Sequence, residues 1–204
     1  MNRRTMLTQV LAAAAASRFG SVAVAARQSP ATGAAAAQDL KPAKLADPEP
    51  QVNDIEKYPR CAYCNMDRRR FHFSRMLIPY ADGTVDGLCS IRCAMTSLTV
   101  NMSKGPLAVW VGDNASPDDP KPLIDALTAT YLVGSTLPSV MSKRSKTAFS
   151  TAQAADAAKS ANGGEVMAFD KALAAAYLDV AESVAANLMR RREAATGSGA
   201  GRRQ

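Results

Sequence analysis

All four cysteines and the only histidine of the chain lie between Cys61 and Cys93, and their spacing constrains the fold more than any other feature. The pattern is C-x2-C-x-M, then 24 residues after Cys64, then C-x3-C. Two cysteine pairs about two dozen residues apart are typical of a four-thiolate zinc site. Thiolates, thioethers and imidazoles are also the ligands that Cu(I) accepts. The spacing therefore predicts a fold that brings both pairs to one metal.

The distribution of charge argues against a nucleic-acid-binding protein, although the formal net charge is +7. Four arginines lie within residues 1–37, which hold no acidic residue, and five follow Met189. Residues 38–189 carry 16 basic and 17 acidic groups. No basic stripe interleaved with aromatic residues is present there, so we expect no nucleic-acid partner.

The N-terminal residues resemble a secretory signal. Arg3 and Arg4 precede a short apolar run over 6–16, and small residues at 24–26 form a cleavage pattern. The paired arginines followed by Thr-Met-Leu resemble a twin-arginine export signal. No cysteine follows the apolar run, so we expect no lipid anchor at this end. The sequence thus predicts a signal peptide over 1–26 and a periplasmic protein.

Composition divides the rest of the chain. Residues 27–56 are rich in Ala, Pro and Gln and predict a flexible linker. Residues 57–113 and 114–193 carry periodic apolar patterns and predict two structured units. Residues 194–204 are rich in Gly, Ser and Arg and predict a disordered tail.

Each of the two units predicts a hairpin, a helix and a closing strand. The first has strands at Phe71–Pro79 and Val85–Leu88, a helix capped by Ser90, and a strand at Leu107–Val111. The second has strands at Ala126–Val133 and Ser145–Phe149, a helix at Thr151–Ala161 capped by Ser150, and a strand at Val166–Phe169. A final helix capped by Asp170 ends in Arg190-Arg191-Arg192. We therefore predict an α+β fold of two related ββαβ units with a C-terminal helix.

The positions of the thiols suggest how a metal would be held. Cys89 and Cys93 lie at the start of the first helix, where backbone N–H groups stabilise thiolates. Cys61 and Cys64 lie on a turn before the first strand and would complete the site.

Several softer ligands accompany the thiols. Met66 lies in a polar turn where core packing does not explain it, and a thioether binds Cu(I) better than Zn(II). His72 shares one predicted strand face with Met76 and could approach the same metal. Met141 also lies in a predicted turn.

Two alternatives remain open at this point. An exported chain with four cysteines could hold a structural zinc ion or two disulfides. C-x2-C is also a redox motif, but a thioredoxin-like oxidoreductase places a strand before it and a helix at it, whereas here a Tyr-Pro turn precedes it. We see no paired carboxylates, nucleophile triad or phosphate loop, so we do not expect an enzyme.

The motifs together resemble the NosL family of periplasmic copper-binding accessory proteins. The resemblance is carried by C-x-x-C-x-M, H-x-S-R-M-L-I-x-Y-x-D-G, C-S-x-x-C, V-M-S, A-F and G-G-x-V, between about Tyr58 and Tyr177. It implies two ββαβ units, a Cu(I) ion bound by Cys64, Met66 and Met141, and delivery of copper to an apo-cuproenzyme such as nitrous oxide reductase.

The chain departs from the family pattern at three places. Many members are lipoproteins, whereas this sequence lacks the lipid-acceptor cysteine. Asn65 stands where Gly or Gln usually precedes the motif methionine. The Cys89/Cys93 pair belongs to only some relatives, so the resemblance leaves open whether the four thiols form one metal site or two.

Overall fold

The computed structural model describes the backbone of residues 47–200 and the side chains of residues 47–196. The predicted signal peptide and most of the predicted linker lie outside the described residues. In chain order the elements are α1 (Asp54–Lys57), β1 (Met76–Pro79), β2 (Val85–Leu88), α2 (Ile91–Asn101), a 3-10 turn (Met102–Lys104), β3 (Trp110–Gly112), β4 (Leu123–Asp125), β5 (Thr130–Val133), β6 (Lys146–Phe149), α3 (Ala152–Asn162), β7 (Glu165–Met167) and α4 (Phe169–Ala200).

The two antiparallel sheets have the same strand order, which confirms the predicted α+β fold of two related ββαβ units and a C-terminal helix. In the first sheet the order is β2-β1-β3-β4, and in the second it is β6-β5-β7. In each unit the first strand lies between the second and the third, and the helix follows the second strand. The first sheet has one additional edge strand, β4, which pairs with β3.

The first strand is shorter than predicted. It begins at Met76, because the residues before it form turns instead of the predicted extension of the strand back to Phe71. The Asp67 side chain accepts hydrogen bonds from the N–H groups of Arg69 and Arg70 (2.9 and 3.0 Å), which stabilises a turn at that point. His72 therefore does not share a strand face with Met76.

The strand predicted at Ala126–Val133 is shorter in the structure, and a second strand, β4, precedes it at Leu123–Asp125. β4 ends at Asp125, whose side chain accepts a hydrogen bond from the N–H of Leu127 (2.8 Å) and so turns the chain. β5 then begins at Thr130. The strand β4 lies beyond residue 113, where the sequence placed the boundary between the units, yet it pairs with the first sheet.

The starts of the two middle helices differ slightly from the prediction. Ser90 is the N-cap residue of α2, as predicted, but its side chain makes no capping hydrogen bond. The cap of α3 is Thr151 and not Ser150: its side chain accepts a hydrogen bond from the N–H of Ala154 (3.2 Å).

The C-terminal helix continues to Ala200, past residue 193, where the sequence suggested a tail. Residues 190–195 are Arg, Glu and Ala, all strong helix formers, and they carry the helix past residue 193. Its segment Phe169–Thr196 is long and apolar enough, by length and composition, to cross a bilayer, but it contains residues that are buried against the protein.

The main hydrophobic core lies between the first sheet, α2 and the start of α4. It includes Met76 and Leu88 of the sheet, Ala94 of α2 and Ala172 of α4. Three of the four cysteines are buried members of the same cluster: Cys61, Cys89 and Cys93. The fold therefore positions the predicted metal site at the edge of its core.

Candidate metal centre

The first cysteine pair lies on a tight loop closed by its own backbone. Cys61 donates its N–H to the carbonyl of Met66 (2.9 Å), and Asn65 donates to the carbonyl of Cys61 (3.0 Å). Asn65 has a φ of 59°, in the left-handed region that Gly and Asn tolerate best. This backbone conformation accounts for an asparagine at the position before the motif methionine.

The second pair lies where β2 passes into α2. Cys89 follows directly after Leu88, the last residue of β2, and Cys93 lies in the first turn of α2. The loop of the first pair is tied to β2 by a hydrogen bond from Ala62 N–H to the carbonyl of Gly87 (2.9 Å). Backbone pairing therefore brings the two cysteine pairs together.

The four sulfur atoms form one compact group. All Sγ atoms of Cys61, Cys64, Cys89 and Cys93 lie within 4.8 Å of one another. Cys64 Sγ is 3.4 Å from Cys89 Sγ and 3.7 Å from Cys93 Sγ, and Cys89 and Cys93 are 3.8 Å apart. A tetrahedral metal with bonds to sulfur of about 2.3 Å has sulfur–sulfur edges of about 3.8 Å. The thiols are therefore spaced to hold a single metal ion.

No disulfide links these four cysteines, which are all free. A disulfide requires a sulfur–sulfur distance of about 2.05 Å, and the nearest pair, Cys64 and Cys89, is 3.4 Å apart. The structure thus has one four-thiol group where the alternative reading of the sequence expected two cross-links.

Hydrogen bonds within the group shift the pKa values of its thiols in opposite directions. Thiol hydrogen bonds from Cys89 and Cys93 hold the pKa of Cys61 well below its usual range, although burial opposes this effect. The same contacts with Cys61 raise the pKa of Cys89 and of Cys93, and burial raises both further. A bound cation would replace protons on these thiols.

A buried arginine that the sequence analysis did not identify fixes the surroundings of the thiols. Arg68 is 0% exposed, and its guanidinium donates to the carbonyls of Leu88 (3.1 Å), Tyr58 (2.7 Å) and Met76 (3.1 Å). It also binds the carboxylate of Asp54 (2.8 Å). Arg68 therefore ties β1, the end of β2 and the chain before Cys61 to one another.

A second buried arginine completes this group. Arg75 donates to both carboxylate oxygens of Asp54 (2.9 Å each) and to the carbonyl of Lys121 (2.7 Å). Two guanidinium groups thus share one carboxylate, and Asp54 lies in α1, inside the segment that composition predicted to be a linker. In the sequence these arginines are part of a polar run, and no local signal indicates that they are buried.

A polar network lies on the other side of the first loop. The Asp86 carboxylate of β2 accepts hydrogen bonds from Ser97 (2.6 Å) and from Tyr63 (3.3 Å), which stands between the first two cysteines. Asn101 donates to the Tyr63 hydroxyl (2.9 Å). The network anchors the loop to β2 and α2, and the sequence analysis did not predict it.

The structure places the two predicted methionine ligands differently. Met66 is half-buried and packs against the core cluster that contains the thiols. Met141 is 42% exposed and has a φ of 59°, an uncommon conformation for a non-glycine residue. Its neighbour Val140 is buried in the same core cluster, and the loop shares a crevice with Ser90 at the start of α2.

The structure does not bring His72 into the thiol group. Its Nδ1 accepts the N–H of Lys121 (3.1 Å), and its Nε2 lies 3.5 Å from a carboxylate oxygen of Asp119. Burial lowers the pKa of His72, while Asp119 acts in the opposite direction. The imidazole therefore supports the loop before β4.

Comparison with known proteins identifies the family. The sequence profile of the NosL family matches residues 51–176. The chain belongs to the NosL family. Among solved structures it matches the copper chaperone NosL from Shewanella denitrificans at 23% identity and a TM-score of 0.46, over 64% of this chain and 94% of that chain. A search of curated proteins gives no match.

Family membership confirms the resemblance that was inferred from the motifs. The matched range contains all four cysteines together with Met66 and Met141, so every sulfur ligand predicted for this NosL-family chain lies within the shared region.

Proposed function

We propose that this NosL-family protein is an exported Cu(I) chaperone that carries copper on its four-thiol group and delivers it to an apo-cuproenzyme such as nitrous oxide reductase. The proposal depends above all on one observation: four free thiols with every Sγ within 4.8 Å of the others. Thiolates are soft ligands and select Cu(I) among the copper oxidation states. The family supplies the second reason, since a solved structure that this chain matches is described as that of the copper chaperone NosL.

In this proposal the thiolates of Cys61, Cys64, Cys89 and Cys93 hold the ion. Met66 adds a thioether from the same loop, and Met141 offers an exposed thioether for the capture of copper. His72 is not a ligand, because its nitrogens face Lys121 and Asp119.

Transfer of copper is a ligand exchange in this scheme. A sulfur donor of the client forms a bond to Cu(I) while a bond to one thiolate breaks, and the released thiolate takes a proton from water. Cu(I) keeps its oxidation state throughout. Because Cu(I) imposes no octahedral or square geometry, such an exchange proceeds without rearrangement of the whole site.

A structural zinc site is the second candidate, because the sulfur spacing is also that of a four-thiolate zinc ion. The sulfur–sulfur distances among Cys64, Cys89 and Cys93 are 3.4–3.8 Å, and all four sulfurs lie within 4.8 Å, which is compatible with the tetrahedral four-thiolate ion of structural zinc sites. Such an ion would stabilise the fold and would not be delivered to a client.

The decisive experiment is X-ray absorption on the reduced protein as isolated from the periplasm, combined with competition against bicinchoninate for Cu(I). We expect copper with sulfur neighbours only, and retention of Cu(I) against the competitor. Zinc bound by four sulfurs, together with loss of Cu(I) to the competitor, would contradict the copper assignment and establish the structural one.

A further inference from the structure

The C-terminal helix carries apolar side chains on two opposite faces. The face toward the core is buried at Ala172, Ala175, Ala176 and Asp179. At 100° per residue these positions form one stripe along the helix. Contact with the core explains the apolar side chains on this face of α4, but not those on the opposite face.

The opposite face is apolar and exposed. It is formed by Leu178, Ala181, Val184, Ala185, Leu188 and Met189, which we call the outer stripe. Its large side chains are more than half exposed: Leu178 57%, Val184 52%, Leu188 61% and Met189 57%. Spacings of three and four residues place all of them on one side of the helix.

Exposed large hydrophobic side chains are concentrated on α4 within the part of the chain that the structure describes. Of its ten exposed large hydrophobic side chains, α4 holds five: the four of the outer stripe and Tyr177. Isolated exposed apolar side chains are ordinary, whereas a contiguous group of them marks an interaction surface.

A cluster of positive charge follows the outer stripe directly. Arg190, Arg191 and Arg192 are all exposed, and only Glu193 opposes them nearby. An apolar helix face next to arginines matches the boundary of an anionic bilayer, where acyl chains lie below phosphate groups.

We propose that the outer stripe and Arg190–Arg192 form a docking surface for an anionic lipid bilayer, with α4 lying in the plane of the interface. The helix does not cross the bilayer, because its first part, from Ala172 to Asp179, is packed on the protein and Asp179 is paired with Arg144 and Lys146. A parallel second copy on the same stripe would bring two arginine triplets together, which electrostatic repulsion disfavours.

Flotation of the full chain with lipid vesicles tests this inference. The probes are vesicles of phosphatidylcholine alone and of phosphatidylcholine with phosphatidylglycerol. We expect at least tenfold stronger binding to the anionic vesicles, weakened by high salt.

Two variants of α4 and one control variant test whether α4 is responsible for the binding. Leu188→Glu with Met189→Glu, and separately Arg190, Arg191 and Arg192 all changed to Gln, should each lower binding to anionic vesicles at least tenfold. Leu127→Glu is the matched control, because Leu127 is 59% exposed on a different loop. Because the chain also has an apolar N-terminal run, only the difference between variants and the parent chain counts. Circular dichroism and Cu(I) binding of each variant verify that the fold is intact.

Two results would overturn the inference. One is a parent chain that does not bind anionic vesicles, or α4 variants that bind them as strongly as the parent chain does. The other is a dimer that forms without lipid and is lost in the Leu188→Glu/Met189→Glu variant, since this would assign the stripe to a second copy.

Discussion

Cys64 is the one thiol of the four that is not buried, and it lies on the loop, between the thiols of Cys89 and Cys93 and the protein surface. The other three are fixed by the core: Cys61, Cys89 and Cys93 are 3%, 0% and 4% exposed. An incoming donor can reach the metal most directly beside Cys64. We therefore expect copper to leave through the Cys64 edge of the site.

Alkylation of the reduced apoprotein tests the exposure of this thiol. Iodoacetamide should modify Cys64 first, because the reagent needs an accessible sulfur, and bound Cu(I) should protect all four cysteines. Mass spectrometry of peptides after short exposure gives the order of modification. Equal rates at Cys64 and Cys93 would argue against a distinct exchange edge.

Replacement of one thioether should separate copper from zinc. Met66→Ala is expected to weaken Cu(I) binding about tenfold and to leave Zn(II) binding unchanged, because a thioether is a poor zinc ligand. Competition titrations with each metal measure both affinities. Met102→Ala is the matched control, since Met102 is 59% exposed in the turn after α2. Equal losses for both metals would show that Met66 acts through packing.

At the scale of elements, two buried ionic groups hold the site and the C-terminal helix in place. Arg68 and Arg75 share Asp54 beneath the first sheet. Asp179 of α4 binds Arg144 and Lys146 beside the loop of Met141. Each group joins segments that are distant in sequence, so each contributes to the relative position of the elements.

Loss of the first group should destabilise the apoprotein strongly. Arg68→Met removes one of the two guanidinium partners of Asp54 and the donor to the carbonyls of Tyr58, Met76 and Leu88, and it should lower the free energy of unfolding by about 3–5 kcal/mol. Gly87 also shows how closely this side chain is packed, because a Cβ there would lie 3.0 Å from Arg68 Nη1. Urea unfolding provides the measurement. Arg70→Met, at an exposed position, should change stability by less than about 0.5 kcal/mol; similar losses in the two variants would contradict the assigned role of Arg68.

The second group should make stability depend on pH. Burial favours a higher pKa for Asp179, but hydrogen bonds from Lys146, Ser142 and Arg144 outweigh it and hold the pKa below its usual range. The stabilisation is then present above the unfolded pKa of about 3.9 and is lost as pH falls through the lower folded value. Asp179→Asn should thus be destabilised relative to the parent chain at pH 7, and this difference should shrink on acidification below about pH 4. A difference that stays constant with pH would rule out the ionic contribution.

At the scale of the whole molecule, the four thiols of the proposed metal site connect elements that are separate in the chain. Cys61 and Cys64 come from a loop, Cys89 from the end of β2 and Cys93 from α2. The second unit repeats the strand order of the first but contains no cysteine. A metal at this position therefore stabilises the first unit directly.

Metal binding should accordingly raise the unfolding temperature. A ligand at one hundred times its dissociation constant stabilises the folded state by about 2.7 kcal/mol, which corresponds to a shift of about 5–10 °C for a protein of this size. Thermal unfolding of reduced protein with and without Cu(I) measures the shift. A variant with Cys89→Ser and Cys93→Ser should lose most of it, and an unchanged shift would place the copper elsewhere.

Local sequence determined most of the helices and hairpins, because these depend on nearby residues, and it predicted which thiols would meet. Val85–Leu88 has the predicted bounds, and the two ββαβ units follow from repeated apolar and turn patterns. The cysteine spacing predicted a shared metal site, since thiols in pairs of this kind have few other uses in a small domain.

Only the tertiary structure decided which further residues belong to the site. It buried Arg68, turned His72 toward Lys121, and placed β4 in the first sheet. Each of these outcomes depends on partners that are remote in sequence, and a hydrogen bond or a buried charge takes its energy from the partner that the fold supplies. The sequence by itself therefore determined the ligand chemistry, and long-range contacts determined its geometry.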